Sequence, residues 1–139
     1  MSGLFSTLVV LHVIANVIWI GSILAVAVVI GAHSGDAVTR GKIAVDVYGK
    51  LATPAFVVSF VAGIARLALD TQYYFVQTKF MHGKLLLALV VIGLHHVIGA
   101  RAKKMAKGVA TESGNTAILA VILLLSAAGA VFLVVTKPF

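Results

Sequence analysis

The stretch LFSTLVVLHVIANVIWIGSILAVAVVIGA, residues 4–32, contains no Asp, Glu, Lys or Arg. An α-helix rises about 1.5 Å per residue, so about 20 apolar residues cross the hydrocarbon core of a bilayer, and this run has length to spare. Three further apolar runs follow, at residues 51–69, 80–100 and 117–136. Single segments of this length can satisfy their own backbone N–H and C=O groups in lipid only as helices. The expected fold is therefore all-α, an integral membrane four-helix bundle forming one transmembrane domain over residues 1–139.

Composition points the same way. Of 139 residues 61% are hydrophobic and 11% charged, with a mean hydropathy of +1.13. A soluble domain carries about 25% charged residues. The absence of cysteine excludes disulfides, thiolate zinc sites, iron–sulfur clusters and c-type haem attachment. The net charge of +7 is not a nucleic-acid signature, because the basic residues gather in two short connections. One carries Arg40, Lys42 and Lys50, the other Arg101, Lys103, Lys104 and Lys107, whereas the remaining connection and the C-terminus carry only Lys79 and Lys137. The positive-inside rule places the two basic connections in the cytoplasm and both termini outside. Met1–Leu11 lacks the basic start of a signal peptide, so the first run is expected to stay as a helix. Residues 35–50 read equally as an interfacial helix, with Ile43, Val47 and Tyr48 at helical spacing, or as a polar loop.

Ionisable groups inside hydrocarbon are costly and mark functional sites by default. Here they are His12, Arg66, His82, Lys84, His95 and His96, with His33 at a membrane edge, while Asp36, Asp46, Asp70 and Glu112 all lie outside or at the ends of the spans. The cations can be compensated by snorkelling, by an Arg66–Asp70 pair at i,i+4, or by an anionic ligand. Depth counting puts His12, Arg66, His82 and Lys84 in the outer half of the bilayer, and His33, His95 and His96 nearer the cytoplasmic side. Imidazoles for iron and cations for two propionates are what a haem requires. At about 100° per residue, His12 and Trp19 share one helix face. His82 and His96 share another on the third helix, with Lys84 and His95 roughly opposite, so that helix cannot aim all four at one pocket. Each residue also has a plain structural reading. A histidine can be a hydrogen-bonded packing residue, Lys84 and Arg66 can snorkel, and Trp19 can be core rather than the wall of a planar ligand. Tyr73, Tyr74 and Phe75 read as an interfacial aromatic belt. Ser126–Ala130 is a small-residue patch suited to close helix packing.

Three segments together resemble a known family. They are LHVIANVIWIG (Leu11–Gly21), YGKLATPAF (Tyr48–Phe56) and MHGKLLLALVVIGLHH (Met81–His96), the last followed by the basic stretch Arg101–Lys104. Over roughly three-quarters of its length the chain resembles the HemJ family of membrane protoporphyrinogen oxidases and the wider CopD-like superfamily. The chain differs in having Val28 where the family carries an arginine, and Leu94 rather than an aromatic residue before His95. The resemblance implies a helical bundle that binds haem b, commonly as a homo-oligomer, and passes electrons from a porphyrinogen to the respiratory chain. It implies His12 and His82 as iron ligands and Trp19 and Lys84 as cofactor-binding residues; the depth reading adds Arg66, and His96, which like His95 could replace either iron ligand after a shift in helix register. Lys84 and His95 also match family residues and are the catalytic candidates, His95 being suited to relay protons because imidazole titrates near the working range.

Three functions are thus expected in order. The first is a redox enzyme moving electrons from a porphyrinogen or other reduced donor to quinone. The second is a non-enzymatic membrane cytochrome, haem sensor or haem carrier. The third is copper transport, for which the chain is poor in soft ligands, with no Cys and three Met. A purely structural membrane subunit leaves Lys84 with no role beyond snorkelling.

Overall fold

The computed structural model describes residues 2–139, all helix and connection. Its helices are α1 (Ser2–Gly31), α2 (Ala37–Val47), α3 (Thr53–Leu69), α4 (Phe80–Ala106) and α5 (Thr116–Thr136). Four helical stretches are long and apolar enough to cross a membrane: Gly3–Gly31, Ala37–Leu69, Phe80–Ala106 and Thr116–Thr136. This is a multi-pass membrane protein. Its outward surface fits a lipid solvent, with Val17, Val28, Leu89, Leu125 and Val135 all exposed.

Two boundaries differ from expectation. The segment before the second span is helical throughout, because α2 runs through a single π turn, Tyr48–Ala52, directly into α3. The π turn has a local cause. Pro54 lacks an N–H and would orphan a carbonyl in a regular helix, and a one-residue bulge absorbs the mismatch, with Thr53 N–H donating to Tyr48 O. The resulting 33-residue rod is about 50 Å long and outreaches the hydrocarbon core. The second difference is that Arg101–Lys104 belongs to α4 rather than to a loop. Cations in a last turn face the negative end of the helix dipole, and Ala102 and Met105 are buried there against the rest of the bundle.

α1 and α3 pack antiparallel, with His12 beside Ser59 and Trp19 beside Phe56. α4 and α5 form the other antiparallel pair. Gly129 comes within van der Waals reach of Leu87, and Ser126 is buried, so the small-residue patch serves packing inside the bundle. Arg101 ties the α4–α5 connection, donating to Ser113 O at 3.2 Å and to Thr116 Oγ1 at 2.9 Å. α2 lies across α1 and the end of α4, which brings the two basic segments to one end of the molecule.

Asp36 starts α2. Its carboxylate accepts from Thr39 N–H at 2.8 Å and from Thr39 Oγ1 at 3.0 Å, the geometry of an N-cap. These bonds, the backbone one first, hold the Asp36 carboxyl below the usual carboxylate range. A lowered folded pKa means that the cap's contribution is complete above the unfolded value of about 3.9 and is lost as pH falls through the folded one. The protection of the Val38–Arg40 amides, measured relative to their intrinsic exchange rates, should therefore fall below about pH 4 in the wild type. Asp36→Asn, which keeps an acceptor without titrating, should remove that pH dependence, and a persisting dependence would show that another group controls the turn.

Candidate functional site

The sequence-predicted residues separate into two layers. In the layer near the α3–α4 connection, His12 from α1 faces α3. Its Nδ1 lies 2.8 Å from the Ser59 carbonyl oxygen and 3.3 Å from Ser59 Oγ. A carbonyl only accepts, so Nδ1 carries the proton and Nε2 keeps a free lone pair. Gly63 makes room for the ring, since a Cβ there would stand 3.0 Å from His12 Cε1.

Arg66 and Lys84 lie close enough to His12 to act on it electrostatically, and both line one small cavity. The Arg66 guanidinium rests 4.8 Å from the Phe5 ring centroid and 5.7 Å from that of Tyr74, and its buried Nε has no hydrogen-bond partner. The Arg66–Asp70 pair does not form. Asp70 instead caps the next turn, accepting from Tyr73 N–H at 3.1 Å. Among the described residues the one ion pair is Lys50–Asp46, at 3.2 Å. Lys84 and Arg66 therefore stand half-buried without a protein anion.

Tyr74 corrects the aromatic-belt reading. It is buried and packs with Phe80 and Met81, because the π turn Tyr73–Gln77 folds it back over Arg66. Phase on α4 is as expected: His82 and His96 are exposed, while Lys84 and His95 turn inward. His82 has its ring 6.0 Å from Phe75, edge to face. Met81 is buried while its neighbour His82 is exposed, so the two do not form a thioether–imidazole pair. His33 is exposed.

The second layer is an aromatic cage around His95, which has no exposed surface. Trp19 Nε1–H donates to His95 Nδ1 at 3.1 Å. Tyr48 stacks on the imidazole with centroids 4.8 Å apart, Phe56 lies at 5.2 Å, and His96 stands edge-on at 4.9 Å. Gly99 is required here, since a Cβ would fall on the Tyr48 ring. The indole occupies Nδ1, so His95 carries its proton on Nε2 and offers a donor rather than a lone pair. That Nε2 is buried and unpartnered. In this arrangement His95 can hold or pass a proton but cannot bind iron. His96 is the reverse case. Its Nδ1–H donates to Ile92 O at 2.8 Å, leaving Nε2 free on an exposed ring.

Ser59, Gly63, Tyr48, Phe56 and Tyr74 were not singled out as site residues from the sequence. Only Tyr48 and Phe56, inside the quoted second segment, carried a signal. Among the described residues no three His, Cys, Asp or Glu side chains gather into a metal cage. Comparison with known proteins finds no family model, no curated relative and no solved structure that this chain matches.

Proposed function

We propose that this chain is a haem b-binding redox protein of the bacterial inner membrane, with its termini on the periplasmic side. In this reading it passes electrons from a porphyrinogen or another reduced donor to the respiratory chain, as the HemJ resemblance implies. The observation that supports this most is the state of His12. An imidazole that donates its Nδ1–H to a backbone carbonyl has its ring oriented and its Nε2 made more basic, the usual arrangement of an iron-binding histidine. Two cations without protein anions, Arg66 and Lys84, line one small cavity in the same layer, suited to a carboxylate through charge-assisted hydrogen bonds.

Bound haem would supply one-electron transfer. The chain's own residues do the rest. His12 presents a lone pair, whereas His82, exposed on the face of α4 away from Lys84, does not share that site. Arg66 offers a guanidinium fork already flattened between two rings, and Lys84 adds a mobile ammonium. Trp19 fixes the tautomer of His95, whose Nε2–H is the proton-bearing atom of the inner layer. Val28, where the family carries an arginine, favours a second reading, a cytochrome or haem carrier without porphyrinogen turnover.

Detergent-purified protein from haem-replete cells should show a Soret band and a sharpened α-band on dithionite reduction. His12→Ala should lower haem occupancy by about tenfold or more, since even an outer partner of such a ligand is worth 10–100-fold, while His33→Ala, at an exposed position in the other layer, should retain it. A wild type with no Soret band ends the proposal. Rescue of a strain lacking protoporphyrinogen oxidase separates the two readings, succeeding for the enzyme and failing, with haem still bound, for the carrier.

A further inference from the structure

The cavity beside Arg66 and Lys84 has a third cation that neither the sequence pattern nor the haem reading uses. Its volume is about 40 Å³, and Arg66 from α3, Lys84 from α4 and Lys137 from just beyond α5 all line it, together with Tyr73 and Tyr74. No carboxylate is among the lining residues. Lys137 reaches it through an unusual backbone. It adopts the left-handed conformation, φ 43°, at the C-cap of α5, a state that a non-glycine residue keeps only when its surroundings hold it there. Its Nζ lies 3.5 Å from the Tyr73 hydroxyl.

Three like charges around one void repel one another, and partial burial makes Arg66 and Lys84 more costly. Tyr74 and Phe5 supply ring faces for Arg66, but an aromatic quadrupole offsets only part of a full charge. The Arg66 Nε is buried without an acceptor. The void has room for about three water-sized groups, which matches a single carboxylate or phosphate head and is far too small for a tetrapyrrole ring.

We infer that this cavity is a site for one oxyanion head group, a carboxylate or a phosphate, gripped by Arg66 and Lys84 and closed by Lys137 with the Tyr73 hydroxyl. Two sources have that chemistry: a propionate edge of a tetrapyrrole and the phosphate of an anionic lipid at this end of the bundle. The inference rests on the haem reading for the first source only. Lys137 then acts as a latch, ordered when the oxyanion is present. The C-terminal turn of α5 is thereby coupled to occupancy of a site on α3 and α4.

The test titrates detergent-purified protein and follows its thermal unfolding. The probes are phosphatidylglycerol against diacylglycerol, which lacks the phosphate, and mesoporphyrin against its dimethyl ester, which lacks the charges. The charged member of at least one pair should raise the unfolding midpoint and its neutral partner should not; which pair responds identifies the source. Lys137→Gln, an exposed position, should weaken that response about fivefold, the size of a partly screened ion pair. Arg66→Gln should weaken it more than tenfold, as for a charge-assisted bond. Lys79→Gln, at the same end but outside the cavity, should leave it unchanged. Equal responses to charged and neutral members, or Lys137→Gln binding as tightly as the wild type, overturns the inference. A Soret band lost in the wild type while the phosphatidylglycerol response persists would defeat the haem reading alone.

Discussion

Gly41→Ala should destabilise the protein by about 3 kcal/mol, the upper end of what overpacking costs, because backbone rather than a side chain is in the way. Gly41 is where α2 crosses the end of α4. A Cβ there would stand 2.6 Å from the Met105 carbonyl carbon and 2.7 Å from Ala106 Cα, and closer still to Ala106 N. Neither helix can yield locally. Ala106 is fixed in the last turn of α4, and Ala44, one turn along α2, is itself fully buried in the core. The substitution must lift α2 off α4, and with it the packing of Ala102 and Met105. Gly93 provides the control, being helical with nothing within 4 Å of a Cβ. Gly93→Ala should be neutral or stabilising by up to about 1 kcal/mol, the difference in helix propensity. Unfolding in a graded detergent mixture measures both. If Gly41→Ala unfolded with the wild type, the two basic segments would not be held together by this crossing.

Trp19→Ala should be the most damaging change within the spans, costing about 3–5 kcal/mol as a large aromatic lost from a packed core. Trp19→Phe isolates the polar part. Phenylalanine can keep the contact with Phe56, whose ring lies 5.0 Å away, but it cannot donate to His95 Nδ1. Leaving that nitrogen buried and unpaired costs about 1–3 kcal/mol. The penalty should vanish in a His95→Leu background, where no acceptor remains, so a double-mutant cycle should give a coupling of about 1 kcal/mol or more. Strict additivity would show that the indole–imidazole bond contributes nothing. Trp19 is the single tryptophan of the chain, so its fluorescence reports directly on this layer.

These two sites were legible in the sequence to different extents. Trp19 and His95 both stand out as polar-edged residues in apolar runs, and helical phase groups Trp19 with His12 and His95 with Lys84. Nothing marked them as partners, because they are 76 residues apart. Gly41 carried no signal at all. It is one of 13 glycines, and only the crossing geometry separates it from those that meet open space. The Arg66–Asp70 pair illustrates the opposite error. Spacing of four residues permits it, but the helix ends at Leu69, and the Asp70 carboxylate is drawn to the free N–H of Tyr73.

The amino-acid sequence by itself determined that the chain is a bundle of four spanning helices and that His82 and His96 lie on one face of α4 with Lys84 and His95 roughly opposite. In lipid a backbone can pair only with itself, and a long apolar run leaves it one way to do so. Tertiary structure alone decided the proton positions of His12 and His95, the burial of Tyr74, the reach of Lys137 into the Arg66–Lys84 cavity, and the fusion of α2 with α3. Each of these depends on a carbonyl, an indole or a backbone brought close by packing between helices, and pairwise proximity across a bundle leaves no periodic trace in any one segment.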